Sequence, residues 1–346
     1  MSLPIGLDFA PMEGQIVRSL PTSGPYQFEP KWDGFRAICF RDGDNISIQS
    51  KSGQPLARYF PEVVTALRSV PLDRFVLDGE IVVPVKNRLD FDQLLQRIHP
   101  AASRVKSLAA AYPAVYMMFD LLVNDQLEPL YLEKLSVRRP ALEKIFERFN
   151  HEPTFRLSAA TTDRKIADSW YALVGGALDG IIAKRLDVPY SSGDRHGMRK
   201  IKRLRTADCV VAGYQLSNDG EAVGSLLLGL YDVVGNSLEY VGFTSGFSSQ
   251  EKRSLLKRLA ETRVARSFTG RSPGGQSRWN KGKASTWVPV DPKLVLEVEF
   301  DHVSGFRFRH GTRPVRFRPD KVASDCSLEQ LQQPTAASAF TLSVIA

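Results

Sequence analysis

The sequence predicts an α+β fold in two domains: antiparallel sheets with helices over residues 1–204, then an all-β barrel over residues 205–331. Three observations carry this expectation. Short β-rich runs alternate with helical periodicity before Arg205, and apolar β runs interrupted by one helix dominate after it. A length of 346 residues also suits two ordinary domains better than one.

Residues 27–29, 37–40 and 46–48 read as strands, the last two joined by the turn Asp42-Gly43-Asp44. Residues 76–83 and 115–122 are further strands, each with acidic residues near its middle or end, so the candidate chemistry sits on a sheet scaffold. Asp78, directly before Gly79, reads as a turn residue rather than a catalyst. Leu142, Ile145, Phe146 and Phe149 follow helical spacing after Ser136; Ile166, Trp170 and Leu173 do so after Thr162, and Gly175-Gly176 ends that helix. The next strand begins near Leu178, which puts Asp179 at a strand entrance. Beyond Arg205 come strands at 209–214, 226–231, 238–244 and 294–300, with the Gly235-Asn236 turn joining the middle two. An amphipathic helix over 249–263 carries Leu255, Leu256 and Leu259 as its apolar stripe. Five or so strands with one helix fit an OB-fold barrel, a common nucleic-acid scaffold. Residues 332–346 have no clear period and read as a frayed tail.

Composition narrows the function classes. A hydrophobic content of 43% supports ordinary cores, and a formal charge of +8 favours a polyanionic partner, nucleic acid first. Cys39, Cys209 and Cys326 lie far apart without Cys-x-x-Cys spacing, so neither a zinc site nor a disulfide framework is expected; Cys39 and Cys209 read as buried strand residues in a reducing compartment. No apolar leader and no membrane-length apolar run is present, so a soluble, cytoplasmic, nucleoid-associated monomer is expected.

The most informative stretch is Lys31-Trp32-Asp33-Gly34-Phe35-Arg36, a lysine amine beside a carboxylate, a glycine and an arginine. By itself it is also what a strand ending in an ordinary Asp-Gly turn looks like. The downstream motifs change the weighing: Ser50-Lys51-Ser52-Gly53, Asp78-Gly79-Glu80, Tyr116 to Asp120, Asp179-Gly180-Ile181-Ile182-Ala183-Lys184 and Lys200-Ile201-Lys202, in that order. This series resembles the ordered motifs of the covalent nucleotidyltransferases, most closely the ATP-dependent DNA ligases, over nearly the whole chain. Asp179 where glutamate is usual, Met198 where tryptophan is usual and Lys51 where arginine is usual look like the small bacterial enzymes called ligase C. Residues 205–214 and 273–279 add to that match.

The resemblance implies a nucleotidyltransferase (adenylation) domain followed by the OB-fold, and nick sealing in DNA through AMP attached covalently to Lys31. By that resemblance Glu29 contacts the adenine edge, Phe119 stacks on adenine, and Arg36 meets ribose or phosphate; Lys51 and Lys184 also face the nucleotide. Glu80 contacts ribose or a metal, with Asp179 as the second metal residue; Mg²⁺ is the natural ion, and Mn²⁺ the alternative. Lys200 and Lys202 supply positive field at the α-phosphate, which would also favour the neutral, nucleophilic form of Lys31. Arg316, Arg318, Asp320 and Lys321 match the carboxy-terminal motif that orients pyrophosphate, reaching Lys31 by a swing about a hinge at residues 203–206. Blander readings stand beside these: Phe119 as core packing and Lys184 as a solvated strand end.

Only 30 residues precede Lys31, so the two core domains are expected to supply the affinity for nicked duplex DNA. Three basic stretches are available. Residues 184–205 hold eight Lys or Arg against two Asp, residues 262–290 six with no acid, and residues 302–321 six against one Asp. Such runs are ordinarily solvated faces; beside a lysyl-AMP site they favour phosphate contact, with Arg195, Arg203, Arg271, Arg278, Lys281 and Lys283 as the candidates. Gly274-Gly275 marks the middle stretch as a loop. The rival readings are an RNA ligase, a GTP-using capping enzyme, and a catalytically silent nicked-DNA binding module.

Overall fold

The computed structural model describes residues 2–86, 88–149, 151–174, 178–274 and 286–332. It divides into two compact units, Met1–Arg203 with Pro334–Ala346, and Leu204–Gln333, whose described residues are treated separately below. The first unit contains β1 (Gln15–Val17), β2 (Tyr26–Lys31), β3 (Phe35–Asp42), β4 (Asn45–Ser50), β5 (Arg74–Val82), β6 (Pro84–Val85), β7 (Arg88–Leu89), β8 (Val115–Val123), β9 (Phe155–Leu157), β10 (Gly180–Arg185) and β11 (Met198–Ile201). Its helices are α1 (Pro61–Ser69), α2 (Phe91–Gln96), α3 (Ala102–Ala111), α4 (Leu135–Phe146) and α5 (Arg164–Ala172).

Two sheets organise this unit. One runs β4-β3-β5-β8-β9 and the other β1-β11-β10-β2; all pairs are antiparallel except β8–β9 and β1–β11, the edge pair of each sheet. The five-stranded sheet is buried on both faces. Ala37, Cys39, Leu77, Tyr116 and Met118 pack with Val63, Leu67, Leu142 and Ile145 of α1 and α4. Ile38, Phe40, Val76 and Leu122 on its other face pack with Met12, Tyr190 and Met198. The second sheet has its own core, with Phe28, Ile181 and Ile201 against Ala167 and Trp170 of α5. The predicted strands and the two predicted helices of this region are present. Helices α2 and α3 went unread because each buries a single residue, Leu94 or Val105, and shows no apolar stripe; the stripe of α1, Val63, Ala66 and Leu67, went unrecognised.

The second unit contains β12 (Arg205–Leu216), β13 (Val223–Asp232), β14 (Ser237–Thr244), β15 (Val288–Phe300), β16 (Val303–Ser304), β17 (Arg307–Phe308) and β18 (Arg313–Phe317), with α6 (Ser249–Ala260) after β14. Helix α6 starts where predicted because Ser248 and Glu251 form a reciprocal capping box. Cys209, Val211, Leu226, Leu228, Val241, Leu255 and Leu296 form the unit's core.

The predicted OB-fold barrel is corrected here. Five strands make one antiparallel sheet in the order β14-β13-β12-β15-β18, β16 and β17 pair separately, and no sheet closes into a barrel among the described residues. Closure requires the two edge strands to ladder with each other. Between the end of β14 and the segment before β18 there is only an isolated bridge, Thr244 to Thr312. Strand count and apolar alternation, which the sequence displays, are the same for an open and a closed sheet. The segment read as a frayed tail lies outside the described residues from position 333 onward.

Candidate active site

Alternation along β2 sends Gln27, Glu29 and Lys31 to one face, and the antiparallel register with β10 sets Lys31 opposite Gly180 and Glu29 opposite Ile182. The turn after Lys31 has no room for a side chain at Gly34, where a Cβ would collide with the carbonyl oxygen of Ile81. Trp32 is buried and donates from Nε1 to Ser158 Oγ at 2.9 Å, which anchors the residue next to the lysine.

Lys31 Nζ donates to Asp179 Oδ2, and the backbone N–H of Asp179 donates to the Lys31 carbonyl at 3.1 Å. Lys202 Nζ lies 3.6 Å from the same Asp179 oxygen. Burial favours the neutral amine of Lys31, but the charges of Asp179 and Glu80 outweigh it and hold the ammonium above its ordinary range. This differs from the expectation that cations would dominate around Lys31. Glu80 is raised as well, to about 7, because burial disfavours its carboxylate more than Lys31 and Arg36 restore it. Lys200 is pushed down to about 8, by burial first and then by the charges of Lys31, Lys51 and Arg36.

A second cluster lies around Phe119. Arg36 sits 4.6 Å from the centre of its ring, and Lys184 Nζ lies at 4.6 Å as well. The ring is buried, with both cations against it. Lys184 is no solvated strand end: it is buried, 2.9 Å from Glu29 Oε2 and 4.0 Å from Asp120 Oδ2, and donates to the Phe119 carbonyl at 3.3 Å. Glu29 also accepts from Gln27 Nε2 at 2.8 Å. Asp120 lies in turn against Arg138, whose Nε and Nη2 donate to it at 2.8 and 3.1 Å with both residues buried.

Besides Arg138, three residues of this constellation escaped the sequence. Asp78 is not in a turn: it lies inside β5, fully buried, and takes two hydrogen bonds of 2.6 Å from Arg36. Tyr190 donates to Asp78 Oδ2 at 2.5 Å and accepts from the Met12 N–H at 2.8 Å. Glu13 lies 2.9 Å from Lys51 and 3.4 Å from Arg195. Only Asp78 had a signal, its place in the Asp-Gly-Glu motif.

Arg203 is exposed at the end of the first unit. In the second unit the backbone N–H of Arg271 donates to Glu239 Oε2 at 2.8 Å, while Arg278, Lys281 and Lys283 lie outside the described residues. Arg316 pairs with Glu297 at 2.7 Å, Arg318 with Asp208 at 3.1 Å and Asp320 at 2.9 Å, and Lys321 with Asp208 at 2.6 Å. The last basic stretch is therefore partly neutralised within its own unit.

Asp179 and Glu80, the two carboxylates expected to meet a divalent cation, both act on Lys31. No group of three or more His, Cys, Asp or Glu that could hold a metal occurs among the described residues. Two carboxylates still suit Mg²⁺, which keeps several waters and takes substrate phosphate as a further ligand. No helix among the described residues is long and apolar enough to cross a membrane.

Comparison with known proteins agrees with this geometry. Residues 11–202 match the family model described as ATP dependent DNA ligase domain, and residues 219–321 that of ATP dependent DNA ligase C terminal region. The chain is 44% identical to DNA ligase C2 of Mycolicibacterium smegmatis, covering 99% of each chain. It is 42% identical to DNA ligase C of Mycobacterium tuberculosis, covering 98% of each. A solved structure from work on Lig E DNA ligases superposes with a TM-score of 0.54 at 16% identity, over 89% of this chain and 100% of that one, a likeness of fold alone. A lysine held between carboxylates on this scaffold and full-length identity above 40% lead to one conclusion: the chain belongs to the ATP-dependent DNA ligases, of the bacterial ligase C type, and is an enzyme that seals nicks in DNA.

Proposed function

We propose that the enzyme works through AMP bound covalently to Lys31. The observation that carries this is the placement of Lys31 beside Asp179 and Glu80, with Lys202 on the same aspartate. Once deprotonated, the Lys31 amine attacks the α-phosphorus of ATP; the P–N bond forms, the P–O bond to the leaving group breaks, and pyrophosphate departs. The AMP then passes to the 5′-phosphate of a nick, and the 3′-OH displaces it as the phosphodiester forms. Mg²⁺, or Mn²⁺ in its place, held by Asp179 and Glu80 would neutralise carboxylate charge beside the nucleophile and meet the phosphate oxygens.

Phe119, between two cations, offers the adenine a flat face, with Glu29 at its edge and Arg36 and Lys184 toward ribose and phosphate. Lys51, Lys200 and Lys202 meet the phosphates, and Arg316, Arg318, Asp320 and Lys321 orient the pyrophosphate. Residues 1–204 form the adenylation domain, residues 205–331 the second domain and residues 332–346 a tail. Nicked duplex DNA is bound through Arg195, Arg203, Arg271, Arg278, Lys281 and Lys283. The enzyme acts as a monomer in the bacterial cytoplasm, at the nucleoid, in DNA repair pathways such as base excision repair.

The test is incubation with α-labelled ATP or GTP followed by denaturing electrophoresis. Label from ATP is expected on the wild type and absent from Lys31→Ala, which keeps nick binding. Label on another lysine would sink the assignment, and preference for GTP would favour the capping-type rival.

A further inference from the structure

The amino-terminal segment places a carboxylate among the phosphate-facing cations that the ligation chemistry does not use. Glu13 Oε1 is 2.9 Å from Lys51 Nζ, and its Oε2 is 3.4 Å from Arg195 Nε. Its charge also bears on Lys200, whose side chain runs so close to Gly14 that a Cβ there would lie 2.7 Å from Lys200 Cγ. Glu13 is fixed by its main chain, its N–H donating to the Asp194 carbonyl at 2.7 Å and that of Met12 to Tyr190 Oη at 2.8 Å. The Lys51 hydrogen bond holds the Glu13 carboxyl below the usual range, so it is ionised at any working pH. A pinned backbone, one anionic side chain and three cations converging on it make a counter-ion site rather than a stray surface pair.

We propose that Glu13 is a built-in competitor for polyphosphate: it occupies Lys51 and yields it when pyrophosphate or the triphosphate of ATP arrives. This rests on the reading of Lys51 and Lys200 as phosphate contacts. The exchange is purely ionic. Its consequence is a weaker hold on pyrophosphate, which eases product release and disfavours reversal of lysine adenylylation. The opposite role, in which Glu13 aims Lys51 at the phosphates, predicts effects of the opposite sign.

Calorimetric titration of inorganic pyrophosphate into the full chain at fixed magnesium separates the two. Glu13→Gln should bind pyrophosphate about three- to tenfold tighter, the effect of deleting one like charge at close range. Pyrophosphate should also strip labelled AMP from its adenylated form at correspondingly lower concentration. In the Lys51→Met background the gain from Glu13→Gln should shrink. Unchanged or weaker binding by a Glu13→Gln protein of wild-type melting temperature would overturn the proposal. Glu13→Ala gives the same comparison should the amide disturb folding. A wild type that binds no pyrophosphate overturns the phosphate-site reading itself, a failure distinct from equal binding by wild type and variant.

Discussion

Tyr190→Phe tests whether the layer around Asp78 and Arg36 is as tightly built as its geometry says. The hydroxyl donates to Asp78 at 2.5 Å and accepts from the Met12 N–H at 2.8 Å, and Tyr190, Asp78 and Met12 are all buried. Deleting it removes one hydrogen bond to a charged group and strands one buried backbone donor. Arg36 keeps Asp78 partly satisfied through its two bonds of 2.6 Å. The expected cost is about 2–4 kcal/mol, from the usual worth of a charged-group bond and of a stranded donor. Because a chain of two units violates two-state unfolding, native-state hydrogen exchange is the suitable assay. Peptides of β3, β5 and β10 should lose protection while those of β12, β13 and β15 keep theirs. Lys31 labelling should persist but need more ATP, since Asp78, the anchor of Arg36, is then held only from one side. A loss below about 1 kcal/mol would mean that the hydroxyl does not tie these elements together, since it would match one ordinary hydrogen bond. Equal loss in both units would refute a local role.

Further outcomes rest on the same geometry. Asp179→Ala should weaken the metal-dependent steps, while Asp179→Glu retains substantial activity; nick sealing by Asp179→Ala at the wild-type rate across magnesium concentrations would make the residue structural. Serine at Arg271, Arg278, Lys281 and Lys283 should weaken nick binding and flatten its salt dependence by about 0.9 of a log unit for each DNA phosphate these side chains no longer neutralise. Lys31 labelling should survive that change, and an unchanged salt slope would leave these residues without a role on DNA. Lys200 loses its proton near pH 8, so its contribution to pyrophosphate binding is full below that pH and falls as pH rises through it. Titrations across this range should show Lys200→Met flatter than wild type, and parallel curves would remove Lys200 from the phosphate site.

The chemistry was legible where it lies in consecutive residues. Lys31, Glu80, Asp179 and Lys184 stand in compact motifs, and each motif falls on a strand that the sequence also displays. What stayed hidden depends on long-range meetings. Asp78 resembles a turn residue because Asp-Gly usually is one; only the register that brings Arg36 beside β5 turns it into an anchor. Tyr190 and Glu13 carry no motif, and their partners are far away in the chain. Closure of the second unit's sheet is a property of its two edges, and residue patterns within strands do not encode edge pairing.

The parallel pairing of β1 with β11 has a bearing on synthesis. Ile16 partners Lys200, so a strand made among the first residues finds its place only beside one of the last strands of the first unit. Pairings this remote in sequence form slowly, and a nascent chain must hold its early segment unplaced until the later one has emerged. On a ribosome the Phe119 cluster still lacks β10, which brings Lys184, and the cation side that includes Lys200 is completed later still. Lys31 is thus translated early, but its surroundings are finished only when β10 and β11 have emerged.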